Sequence, residues 1–131
     1  MIIMFSKYIL VTACLISVSS CAGSAYVRLQ SANGMSQYEG RKVELSGRVS
    51  ETPWQHLMAN PEGYGLSYYF DVGDFQIVVY SKSPIECPGV ILVRGTVIKV
   101  QGSSKRPGTK ADESFVEYHV TADSWECREH G

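Results

Sequence analysis

No window of helical length in this 131-residue sequence has apolar residues recurring at a 3.6-residue period. That excludes a helical bundle and any fold built on long amphipathic helices. "MSQYEG", Met35 to Gly40, has room for one short turn. Positive charge is not in excess: 12 Lys and Arg stand against 13 Asp and Glu. A general nucleic-acid binder draws much of its affinity from phosphate neutralisation, so this balance argues against nucleic acid. Chemical motifs are also missing. There is no nucleophile elbow, paired-carboxylate motif, glycine-rich phosphate loop or HExxH. Asp71 and Asp74 flank a tight turn, where aspartate commonly supports the backbone. The expectation is a protein that is not an enzyme. No internal repeat is visible.

The one long apolar run, "YILVTACLISV" after Lys7, is shorter than the roughly 20 residues of a membrane span. A cation, a short apolar stretch and then small residues form a secretory signal. Met4 opens an ordinary start to such a signal, "MFSK". The stretch ends "VSSC", an aliphatic residue, two small ones and a cysteine. This resembles the processing site of bacterial lipoproteins and implies Cys21 as the lipidated first residue of the mature chain. "VTAC", ending at Cys14, fits the same pattern but leaves few apolar residues after Lys7. An ordinary cleaved signal is the plainer alternative. Acyl chains on Cys21 would anchor the protein to a membrane, each buried methylene adding roughly 0.8 kcal/mol. Ala22, with no Asp at that position, implies the periplasmic face of the outer membrane in an organism that has one.

Without residues 1–20 the basic count falls from 12 to 11, giving a net charge of −2. The mature chain retains Cys87 and Cys127. Neither has a Cys or His at ligand spacing, and an exported chain meets oxidising conditions, so a disulfide is expected. It would close a loop of about 40 residues and add roughly 3–4 kcal/mol by constraining the unfolded chain. The expected organisation is a signal peptide over 1–20, a lipidated N-terminus and tether over 21–37, one domain over 38–127 and a tail over 128–131.

Within the domain the pattern is alternation. "RKVELSGRV" places Val43, Leu45, Gly47 and Val49 on one face, and "FVEYHVTA" does the same with Val116, Tyr118, Val120 and Ala122. "LSYYFDV" and "FQIVVYS" are separated only by "GD", a hairpin signal. "GVILVRGTVIKV" is a long β-branched run interrupted by Gly95, where a strand can bend or bulge. Five strands are predicted, at about 41–50, 66–72, 75–81, 90–101 and 115–122. The fold class is all-β, a five-stranded OB-fold-like Greek-key barrel, with a small β-sandwich as the alternative.

The elements "YEGRKVELSGRV", "YYFDVGDFQIVVYS" and "VILVRGTVIKV" resemble OB-fold domains of exported bacterial proteins, including the bacterial OB-fold (BOF) family and the tRNA-anti-like domains of lipoproteins. The resemblance covers about residues 38 to 125 and rests on strand pattern and glycine placement. Many OB-folds carry a helix between the third and fourth strands. Here "SKSPIECPG" has two prolines and is too short for one.

An OB-fold implies a binding face on the outside of the second and third strands, flanked by the loops 1–2 and 4–5. Those loops are "SETPWQHLMANPEGYG" and "GSSKRPGTKADE". If Phe70, Val72, Ile77 and Val79 point inward, Tyr69, Gln76, Val78 and Tyr80 point outward. Trp54 and His56 would then join Tyr69 and Tyr80 in an aromatic patch, with positive charge from Lys105, Arg106 and Lys110. Such a surface suits a protein, peptide or glycan ligand. The plainer reading is that Trp54 and Leu57 cover one end of the barrel, the loop cations are solvated, and the tyrosines are cross-strand neighbours.

His56 and Met58 also suit Cu(I) or haem iron, so a copper- or haem-binding protein is the alternative function. Two ligands are too few. His119, outward with Glu117 on the last strand, is the third candidate but is not placed near His56 by this topology. The periplasmic haem chaperone of cytochrome c maturation is also an OB-fold, with a tyrosine close behind its ligand histidine. Tyr64 lies eight residues after His56, so that motif does not carry over. No metal or cofactor is expected.

Overall fold

The computed structural model describes residues 25–52, 59–104 and 113–128. These hold six strands: β1 (Val27–Arg28), β2 (Lys42–Val49), β3 (Leu66–Val72), β4 (Phe75–Ser81), β5 (Val90–Ser104) and β6 (Glu113–Arg128). A 3-10 turn at Met35–Tyr38 precedes β2. The protein is all-β. Its strands form one sheet that closes on itself in the order β2-β3-β4-β6-β5, with β5 returning to β2. A single closed, barrel-like sheet is not a sandwich of two sheets, so that alternative falls.

Closure depends on two glycines. β2 pairs with β5 from Lys42 to Gly47, then with β3 at Arg48 and Val49. At this change of partner a Cβ on Gly47 would run into the Asp71 carbonyl oxygen. The second lies at a bulge: Arg94 pairs with Ser124 but Gly95 with Ala122, leaving Asp123 as the extra residue. A Cβ on Gly95 would meet the Thr121 carbonyl oxygen. Beyond Gly47 the expected alternation fails. Val49 is exposed and Ser50 turns inward, because the coiled strand has rotated its faces.

The strand count and limits differ from expectation. The N-terminal stretch read as a tether is partly built into the domain: β1 pairs in parallel with Val43 and Glu44 of β2, and Leu29 and Met35 are buried in the core. β1 occupies the part of the β2 edge that short pairing with β3 leaves open, which blunts an otherwise bare edge. The last strand continues to Arg128, past the expected end at 122, because the bulge lets Asp123–Arg128 follow β5.

The core is formed by the inward side chains, with Val43, Leu45, Phe70, Val79, Ile91, Val93, Val97 and Val120 fully buried. The short, proline-rich link between β4 and β5 substitutes for a helix by sending Ile85 into this core. The Ile85 N–H donates to the Tyr68 hydroxyl at 3.0 Å. The same link is bound to β6 by the Cys87–Cys127 disulfide, Cα–Cα 5.6 Å.

Candidate binding cleft between β4 and β6

β4 and β6 are the one parallel pair in the closed ring, and they pair only at Val79–Val120 and Tyr80–Thr121. Parallel strands cannot be joined by a tight turn, so no hairpin holds their leading ends together. β6 instead follows β5, whose ladder continues to Ser104–Glu113. The segments 98–104 and 113–119 therefore extend past the ring as a two-stranded arm. Where the arm leaves β4 a cleft of about 410 Å³ opens, with Gln76, Ile77 and Val78 on one wall and Val116 to His119 on the other. Tyr69, Met35 and Ala32 complete it. Its size falls within the range typical of small-ligand pockets, roughly 300–1,000 Å³.

A buried polar chain backs the cleft. The Tyr80 hydroxyl is 2.9 Å from His119 Nδ1, and His119 Nε2 is 2.9 Å from Glu117 Oε2. A carboxylate only accepts, so Nε2 carries a proton; in the neutral ring Nδ1 then accepts from the phenol. Burial, with Tyr69 and Glu117 nearby, pushes the Tyr80 phenol above its ordinary range, which keeps its proton in place. The His119 side chain is 4% exposed and that of Glu117 33%, so the chain runs from the interior to the cleft wall.

Gln76 forms a second cluster at the rim. Its side-chain nitrogen lies 2.9 Å from Ser50 Oγ, 3.0 Å from Asp71 Oδ1 and 3.3 Å from the Thr52 carbonyl. Two protons serve these three acceptors, tying the end of β2 to the β3–β4 hairpin.

The alternation placed several residues correctly. Phe70, Val72, Ile77 and Val79 are in the core, and Tyr69 and Gln76 line the cleft. Tyr80 departs from expectation. It stands on the outer side of β4, but at 2% exposure it offers no ring to a ligand, because its hydroxyl closes on His119. Tyr69 pairs directly with Val78, while Tyr80 pairs with Ser67. The two tyrosines are thus diagonal neighbours. Cys21, Trp54, His56, Met58, Lys105, Arg106 and Lys110 lie outside the described residues. Among the described residues no three His, Cys, Asp or Glu side chains are grouped to hold a metal.

Comparison of the chain with protein families, curated proteins and solved structures finds no match. The site is therefore read from its geometry. Sequence reasoning missed the partnership of His119 with Tyr80. The available signal was Glu117 and His119 two apart on a strand, which places them on one face; their outward direction alone did not reveal burial.

Proposed function

We propose that this protein is a lipid-anchored, non-enzymatic binding module of the bacterial envelope, with an OB-fold that takes its ligand on the outer face of β3, β4 and β6. The observation that carries this reading is the cleft itself, which has mostly apolar walls, aromatic side chains and a few converging polar groups. The strand order supports the OB-fold part. Counting β2 to β6 as strands one to five, the ring runs 1-2-3-5-4-1 with strands three and five parallel. The cleft then borders the second and third strands, the usual OB-fold binding face. The ligand class is protein, peptide or glycan.

The test is an NMR titration of the isotope-labelled full chain in detergent with two probe sets, extended peptides and cell-wall glycan fragments. Saturable shifts should centre on Tyr69, Gln76 and Val116–His119. Saturable binding whose shifts lie elsewhere, or no binding by either set, would overturn the assignment of the cleft.

A further inference from the structure

We infer that a second site, an arginine-lined notch between β1 and the β3–β4 turn, binds a phosphate monoester group. None of its lining residues borders the β4–β6 cleft, so its failure would leave the cleft reading untouched. The notch follows from the strand pairing. β1 pairs with β2 at Val43 and Glu44, and β3 joins β2 only at Arg48 and Val49. Between them, Ser46 and Gly47 pair with β5 along one edge, and among the described residues no strand pairs with the other. A cavity of about 360 Å³ opens at this gap. Arg28 and Gln30 border it from the β1 side and Gly73 from the turn, with Ser46, Leu92 and Arg128 completing it across β2, β5 and β6.

The lining carries two formal charges, both positive, and no carboxylate. Glu126, opposite Leu92 in the ladder, and Asp74, next to Gly73, do not line it. Among the described residues Arg128 forms no ion pair. Arg28 reaches Glu44 through Nη2 at 3.2 Å, and its side chain is 64% exposed. A guanidinium has five N–H donors, so this contact leaves most of them available. Glu44 does not cancel the charge of Arg28, because Arg94 Nε also holds that carboxylate at 2.9 Å. The three groups together keep one positive charge.

The donors select the kind of anion. Two guanidinium groups, the Gln30 amide and the Ser46 hydroxyl come from different strands and approach from different directions. Phosphate has its oxygens in a tetrahedron and up to two negative charges, so it accepts from several directions at once, and arginine matches it with a forked pair of bonds. A carboxylate presents two oxygens in one plane and uses fewer of these donors. The cavity is within the size range of small-ligand pockets and exceeds a bare phosphate. Leu29, Val72 and Leu92 give an apolar side to the carbon portion of an ester.

The experiment follows the isotope-labelled full chain by NMR in uncharged detergent and phosphate-free buffer. The probes are glycerol 3-phosphate, inorganic phosphate, acetate and glycerol. Both phosphates should give saturable shifts centred on Arg28, Gln30, Ser46, Gly73 and Arg128, weakening with added salt. Arg128→Gln should weaken glycerol 3-phosphate about tenfold, as expected for loss of one charged hydrogen-bonding group. Lys99→Gln removes the same charge from an exposed position on β5 and should leave that affinity unchanged. Dihexanoyl phosphatidic acid, referenced to the phosphatidylcholine of the same chain length, distinguishes the sources of phosphate. Tighter binding than glycerol 3-phosphate assigns the notch to lipid headgroups, equal or weaker binding to soluble esters, and both support the inference. Acetate or glycerol binding as tightly as the phosphates would overturn it. So would equal losses in Arg128→Gln and Lys99→Gln, or no saturable shift at these residues. Should Arg128→Gln fail to fold, Arg128→Lys takes its place. It keeps the charge without the fork and should lose several-fold in affinity, and unchanged affinity overturns the inference.

Discussion

Tyr80 and His119 are 39 residues apart in sequence, and their side chains meet in a buried hydrogen bond of 2.9 Å across the parallel seam. Its loss leaves a buried ring nitrogen without that donor, which typically costs about 1–3 kcal/mol. Tyr80→Phe should therefore lower unfolding free energy by about that amount in urea titration. Nitrogen NMR of wild-type protein at neutral pH should show His119 with its proton on Nε2. A proton on Nδ1 would contradict the network.

Gly95→Ala should be among the most disruptive single-methyl additions in the chain. The new Cβ meets the Thr121 carbonyl and a Val120 methyl, and backbone oxygen cannot move aside as a flexible side chain would. Overpacking of this kind costs about 1–3 kcal/mol. Gly65→Ala is the control: nothing lies within 4 Å of its Cβ position and its φ is not positive, so its effect should be within about 0.5 kcal/mol. Thermal melts of the two variants would check the contrast.

Reduction of Cys87–Cys127, or replacement of both residues by serine, should cost roughly 3–4 kcal/mol through release of the loop in the unfolded chain. Urea midpoints with and without reductant measure this. A midpoint unaffected by reductant would mean the bond contributes nothing to equilibrium stability.

Glu44 lies between two arginines, with Arg94 Nε 2.9 Å from Oε2 and Arg28 Nη2 3.2 Å from Oε1. The Arg94 hydrogen bond leads in holding its carboxyl below the ordinary value of 4.5, with Arg28 adding to it. A folded value below the unfolded one gives stability that is complete above the unfolded value and lost as pH falls through the folded one. Stability should thus decline as pH falls below the ordinary carboxyl value of 4.5, and less steeply in Glu44→Gln. Denaturant titrations on both sides of that value test it; equal slopes would remove Glu44 from the acid response.

Cys21, which lies outside the described residues, is the proposed acylation site. Cys21→Ser should abolish fatty-acid labelling and leave the precursor unprocessed by lipoprotein signal peptidase. Normal labelling of that variant would move the anchor to Cys14 or remove it.

Strand faces and the disulfide were legible in the sequence because each follows from a local or compositional rule. A two-residue period sends Phe70, Val72, Ile77 and Val79 to one side whatever the neighbours are, and the strands containing them are buried on that side. The cysteines paired as expected for the two that follow the predicted signal segment. Sequence could not set which outward side chains stay at the surface. Tyr80 and His119 are both outward by alternation, and both are buried because β6 arrives beside β4 through a parallel contact with no connecting turn. Nor did sequence reveal that Leu29, Met35 and Ile85 enter the core, since none lies in a periodic run. Their burial depends on which openings the closed sheet leaves. The cleft has the same origin. It exists because β6 stays with β5 after β4 turns away, a choice made between strands distant in sequence.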